Sequence, residues 1–293
     1  MKDKAKFFAQ LNKSLESEQG TLPIFSAVSL RIQLELIKDS PDLKLIERLI
    51  VEDQSLSSTV LRVANSVTHF GLFETTTVRS AIIRIGMAEI MQIVCADINN
   101  TLFSSRDDQI DLIMKKLWQH SVGCAFTAGI LASTIACGVK REEAFSAGLF
   151  HDIGKLLILK VIEEKRKKYK LFDVSKELLL EAIESLHPKH GFLLMNRIKL
   201  PKIYAVVARD HHLKSYDRSN CMLMLVRLAN NICHQIGIGF VQDPSLDIMA
   251  TEEAVLLNLS EPDLEKTRNF LLNNHSLEGL GSNSPGSPYN YQP

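Results

Sequence analysis

Apolar residues recur along almost the whole of this chain at helical spacing, and no run sustains the period-2 alternation of a half-buried strand. Leu43, Ile46, Leu49 and Ile50 fall at i, i+3, i+6 and i+7, which puts them on one helical face. Ser40-Pro41-Asp42 just before them reads as a helix start, with Pro near the first turn. Leu56, Val60, Leu61 and Ala64 make a second stripe, and residues 80–85 and 88–95 suggest two more helices broken at Gly86. Residues 107–137 form one long helix or two. Helical patterns at 141–159, 176–198, 204–212, 221–236 and 261–273 complete the set, Pro262 suiting a first turn. The expected fold is all-α, with an N-terminal helical bundle packed on a second bundle of longer helices.

The pattern also suggests boundaries. Residues 1–19 form an N-terminal helix, 20–105 a run of short helices, 107–240 the longer helices with most of the histidines, and 241–275 a helical extension. Leu102 to Asp108 is the connector, and the Gly/Ser/Pro/Asn-rich stretch 276–293 is expected to be disordered. With 45% apolar residues a sizeable core is available. The 34 basic and 34 acidic residues cancel, which argues against non-specific attraction to nucleic acid or anionic lipid. The basic run Lys165-Arg166-Lys167-Lys168-Tyr169-Lys170 follows two glutamates and reads as a solvated link between helices.

Residues 1–20 carry no apolar signal core. Residues 121–139 are uncharged over a length that could cross a bilayer, but Ser121, Thr127, Ser133, Thr134 and three glycines dilute the stretch, and it reads as a helix buried on all sides. The five cysteines (Cys95, Cys124, Cys137, Cys221 and Cys233) form no CxxC pair and read as small buried residues of a reducing compartment. A cytoplasmic protein is expected.

The chemistry concentrates in Gly148-Leu149-Phe150-His151-Asp152-Ile153-Gly154-Lys155. A His and an Asp side by side among apolar residues are costly to bury unless each is paired, and a metal ion is one effective partner.

Several segments, in order, resemble the HDOD family. They are Leu22-Pro23, Glu52-Asp53, Leu61-Arg62-Val63-Ala64-Asn65-Ser66, Ala81-Ile82-Ile83-Arg84-Ile85-Gly86, Trp118-Gln119-His120-Ser121, residues 147–154, His187 with Gly191 and Pro201, and His211-His212. The resemblance covers about residues 20–240, making that span the HDOD domain and its second half an HD-like helical bundle. Gln54 stands where the family usually has Pro, and no Trp precedes Leu200-Pro201.

HDOD domains resemble the HD superfamily of metal-dependent phosphohydrolases, whose ligands are a His, a His-Asp pair and a later Asp. Carried over, the resemblance implies His120, His151 and Asp152 as ligands, with the last Asp replaced by Asn230 in Ala229-Asn230. Asn offers a carbonyl but no charge to a hard cation. Related cyclic-di-GMP phosphodiesterases add later histidines, at places comparable to His187 and His211, but their Gly-Tyr-Pro step is absent here.

Two readings follow. In the first, His151 and Asp152 form a metal-free hydrogen-bonded network with His120, Asn230 and backbone. The chain is then a non-catalytic bacterial signalling protein acting on a protein partner or a small nucleotide ligand, with input from another chain. No cofactor is expected on this reading. In the second, His120, His151, Asp152, His187 and His211 hold a divalent ion (Fe, Mn, Zn or Ni) and a metal-bound water hydrolyses a phosphodiester of a nucleotide or cyclic dinucleotide. The missing final Asp favours the first.

Other histidines read more plainly. His190, near Pro188, suggests a capping or surface role, His212 should point away from His211, and His69, His234 and His275 have no partner in sequence. Asn65-Ser66 suggests a turn at a helix end rather than chemistry.

Overall fold

A computed structural model describes residues 2–18, 27–36, 38, 40–66 and 74–273. Leu22-Pro23, His69, Gly71, His275 and the stretch 276–293 lie outside the described residues. Among the described residues there are helices and no strand.

The chain divides into two compact units. One comprises residues 23–102 and holds α2 (Ala27–Leu36), α3 (Leu43–Glu52), α4 (Gln54–Ala64) and α5 (Val78–Leu102). Asp42 caps α3 by accepting from the amides of Lys44 and Leu45, and Asp53 caps α4 through the amide of Leu56. The α3 stripe buries Ile46, Leu49 and Ile50, while Leu43 stays exposed at its first turn. The α5 helix breaks at Gly86, where φ is 80°, as the sequence pattern anticipates. Asn65 ends α4 and exchanges hydrogen bonds of 2.8 Å with both backbone groups of Thr75, a structural tie across the turn.

The other unit joins α1 (Lys2–Glu18) to residues 103–277. Its helices are α6 (Asp108–Thr134), α7 (Arg141–Phe150), α8 (Ile153–Arg166), α9 (Lys176–Arg197), α10 (Lys202–Asp210), α11 (Cys221–Ile236), α12 (Glu252–Leu256) and α13 (Glu261–Asn273). The α6 helix is single and buried along most of its length, packed by α7, α8, α11 and α13. That packing accounts for its uncharged stretch, and no helix among the described residues is long and apolar enough to cross a membrane.

Three expectations are corrected here. Residues 141–159 are not one helix but two, α7 and α8, separated at His151-Asp152. Apolar periodicity continues across the junction, so the pattern alone hides it. His190 is not on the surface. It is fully buried beneath α1, with its Nε2 donating to the Asn12 side-chain oxygen at 2.7 Å, and burial pushes its pKa down to about 4. The basic run is not all solvated linker. Lys165 and Arg166 finish α8, and Arg166 is held by Asp107 and Gln109 at 2.7 Å and by the Phe172 carbonyl at 3.0 Å.

Candidate metal centre

Asp152 is the N-cap of α8, yet its side chain makes no capping hydrogen bond. An Asp at that position ordinarily accepts from the first-turn amides. Here the carboxylate turns inward among four imidazoles. The Nε2 atoms of His187 and His211 stand 3.3 and 3.4 Å from Oδ1, and those of His151 and His120 stand 3.3 and 3.7 Å from Oδ2. The five residues come from α6, the α7–α8 junction, α9 and the end of α10, and none is more than 4% exposed.

Each ring is oriented from behind. Nδ1 of His120 faces the Ile238 carbonyl at 3.2 Å, that of His151 the Gly148 carbonyl at 2.6 Å, that of His187 the Ile183 carbonyl at 2.9 Å, and that of His211 the Ala208 carbonyl at 3.0 Å. A carbonyl oxygen only accepts, so each Nδ1 carries the hydrogen. The Nε2 of a neutral ring is then a lone pair aimed at the carboxylate. Acceptors face acceptors: Asp152 Oδ1 and His151 Nε2 are buried without a hydrogen-bond partner, and the donor that reaches Oδ2 is Lys155 at 3.1 Å.

The expected network of His151, Asp152 and their neighbours therefore forms only in part, with His151 Nε2 and Asp152 Oδ1 left open. The donor set instead fits a divalent transition ion. Two donors each ~2.1 Å from a common ion stand about 3.0–3.4 Å apart. The triangle of Asp152 Oδ1, His187 Nε2 and His211 Nε2 has edges of 3.3, 3.4 and 3.4 Å. Outer-face hydrogen bonds from ring nitrogen to carbonyl are the usual support of ligating histidines.

Electrostatics agree with the geometry. Burial pushes His120 down to about 3 and also lowers His187 and His211. Burial works against the charge of Asp152, but the carboxyl is held well below its usual range, with the Lys155 ammonium 3.1 Å away favouring the charge. Its place at the α8 N-terminus favours the same charge. Lys155, 3.1 Å from Asp152 Oδ2 and 2.9 Å from Glu184, is raised because these two carboxylates outweigh the burial penalty.

These directions predict a pH effect on the metal-free protein. A histidine held neutral in the fold binds its proton more readily once unfolded, so stability falls as pH drops from about 6.5 toward the folded value. Each such group contributes up to about 1.4 kcal/mol per pH unit. Urea titrations of chelator-treated protein between neutral and mildly acid pH should show a falling midpoint; an unchanged midpoint would contradict neutral burial.

Two histidines depart from expectation. His212 turns toward the centre while staying exposed, one ring nitrogen lying within 4.8 Å of the donors of Asp152, His187 and His211. The 100° divergence assumed for it holds within a helix, but α10 ends at Asp210. His234 stacks on His120 at 5.3 Å. Asn230, buried on α11, shares a helix face with His234 one turn on, and α11 packs on α6 and α7.

Two glycines of the 148–155 motif and an arginine complete the frame. A Cβ on Gly154 would lie 2.1 Å from the His187 carbonyl oxygen, and one on Gly148 2.6 Å from that of Cys124. These glycines let α8 meet α9 and α7 meet α6 backbone to backbone, which brings His187 and His120 to Asp152. Arg227 donates to the carbonyls of His211 and Leu213 at 2.7 and 3.0 Å, fixing the turn that carries two histidines. It is held in turn by buried Glu253 of α12, at 2.5 Å.

A helical unit with a buried His–Asp centre at a helix junction defines an HD-like domain. The HDOD domain family model matches residues 22–213, and the chain belongs to the HDOD family. A candidate metal-dependent phosphohydrolase of Shewanella amazonensis SB2B shares the fold with TM-score 0.60 and 20% identity, covering 96% of this chain and 100% of that one. An HDOD domain protein of Geobacter sulfurreducens has TM-score 0.60 and 19% identity over 92% of this chain and 96% of its own. A candidate signal transduction protein of Marinobacter aquaeolei VT8 has TM-score 0.58 and 19% identity, over 95% of this chain and 66% of its own. No curated protein matches.

Proposed function

We propose that this chain is a regulatory HDOD protein that acts by binding a signalling partner, and that its His–Asp centre holds a divalent transition ion as a fixed part of the fold, not as a catalyst. An ion on either side of the carboxylate would relieve the crowding of lone pairs around Asp152. Asp152 Oδ1, His187 and His211 would hold one, with His212 at the margin, and Asp152 Oδ2, His120 and His151 would face the other.

The observation that carries the non-catalytic part is closure. The five donors are buried to 96% or more, and Lys155 covers Asp152 Oδ2. A groove of about 190 Å³ opens on Lys155, but its walls are aliphatic and aromatic, and its polar members are the paired Lys155 and Glu184. A phosphodiester anion would have to break that pair and shed its hydration against an apolar wall. Asn230 adds no negative charge to hold a second hard cation.

Elemental analysis of protein purified without chelator should find at least one transition ion per chain, lost on His151→Ala. Neither protein should hydrolyse bis-p-nitrophenyl phosphate above the blank. Hydrolysis that disappears with His151→Ala would make the chain a phosphohydrolase, and metal-free native protein would remove the ion from the proposal.

A further inference from the structure

The two oxygens of Asp152 face different groups, which divides the centre into two halves. On the Oδ1 side lie His187, His211 and His212. On the Oδ2 side lie His120 and His151, and with them a thiol that neither the family's ligand set nor the sequence pattern assigns. Cys124 is fully buried one helical turn after His120, and its Sγ stands 3.5 Å from His120 Nε2. Donor atoms of His120, Cys124 and His151 all lie within 4.8 Å of one another. His151 Nε2, which faces this same space, is buried and unpartnered, and Asp152 Oδ2 beside it is met by Lys155 alone at 3.1 Å.

We propose that Cys124 is a metal ligand, and that His120, Cys124, His151 and Asp152 Oδ2 form a closed four-donor site for a borderline-soft divalent ion such as zinc. This rests on the reading of the centre as metal-binding and says which ion one half of it takes. A nitrogen ~2.0–2.1 Å and a sulfur ~2.3 Å from one tetrahedral ion stand about 3.6 Å apart, so Sγ is close enough to Nε2 to share an ion. It also lies 4.0 Å from Nδ1, beside the ring, and coordination takes a turn about the Cys124 Cα–Cβ bond to bring it in front of Nε2. The chemistry suits it as well, because one sulfur, two imidazoles and one carboxylate select zinc or ferrous iron over magnesium or manganese. On coordination the thiol gives its proton to solvent and the sulfur binds as thiolate. Four protein donors leave no position for a reactive water, which matches a structural rather than a hydrolytic role.

Without an ion, the Cys124 thiol has a plainer use, donating a weak hydrogen bond to His120 Nε2. Cobalt substitution separates the two. Chelator-treated full-length protein titrated with Co²⁺ should develop visible ligand-field bands together with a thiolate-to-cobalt charge-transfer band in the near ultraviolet. Cys124→Ser should keep the visible bands and lose the near-ultraviolet one, while Cys221→Ser, at the first position of α11, should keep both. Visible bands without charge transfer in the native protein, or a charge-transfer band that survives Cys124→Ser, would overturn the cysteine ligand and leave the histidine centre standing. Absence of every cobalt band would overturn both.

Discussion

Asp152→Asn is expected to abolish metal retention and to lower the stability of the metal-free protein by about 2–3 kcal/mol. Both halves of the centre share this one carboxylate, so its replacement removes the one charged donor that lies within 3.7 Å of all four Nε2 atoms among the described residues. Two effects on stability oppose each other. The new amide can donate to the Nε2 atoms of His187 or His211, a gain of about 1 kcal/mol. Against that, Lys155 loses its buried counter-ion. Breaking a buried pair costs about 3–5 kcal/mol, and the remaining bridge to half-exposed Glu184 keeps the cost toward the lower end. The loss should win. Elemental analysis and urea denaturation in chelator measure the two parts separately. Full metal retention by the variant would mean that Asp152 does not link the ligands. Higher stability would mean that lone-pair crowding outweighs the ion pair.

Gly154→Ala should be more damaging than its single methyl suggests. The added carbon would meet the His187 carbonyl oxygen at 2.1 Å, and the His187 carbonyl carbon and Gly191 amide nitrogen at 2.8 Å. All three are backbone, so no rotamer change relieves the contact and α9 must move away from α8. Overpacking of this kind costs about 1–3 kcal/mol, and a backbone collision belongs at the upper end. The same displacement carries His187 off Asp152, so metal affinity should fall with stability. Gly129→Ala makes the contrast. Its Cβ meets neighbours at 3.5–3.6 Å, ordinary contact, within α6. Alanine is favoured over glycine in a helix by up to about 1 kcal/mol, so that variant should be neutral or more stable. Thermal melts of the two should shift in opposite directions; equal shifts would remove close helix approach as the role of Gly154.

The centre was partly legible in the residues. His120, His151, Asp152, His187 and His211 carry a pattern in order along the chain, and they do converge. His212 and His234 were unreadable for physical reasons. One depends on where α10 stops, and the other on α11 lying beside α6. Cys124 looked like an ordinary buried cysteine because its neighbour His151 is far off in sequence. His190 looked exposed because the helix that covers it, α1, is remote along the chain.

What the amino acids determine by themselves is local. Periodic apolar residues and Asp caps at positions 42 and 53 set the helices, because those signals act within a few residues of themselves. Whether a buried His–Asp pair is satisfied or left open is set by groups that only packing brings near. Tertiary structure alone decides that four lone pairs surround Asp152, that Gly148 and Gly154 allow the approach, and that Lys155 closes the site. Those outcomes depend on distances between helices, which no spacing within one helix encodes.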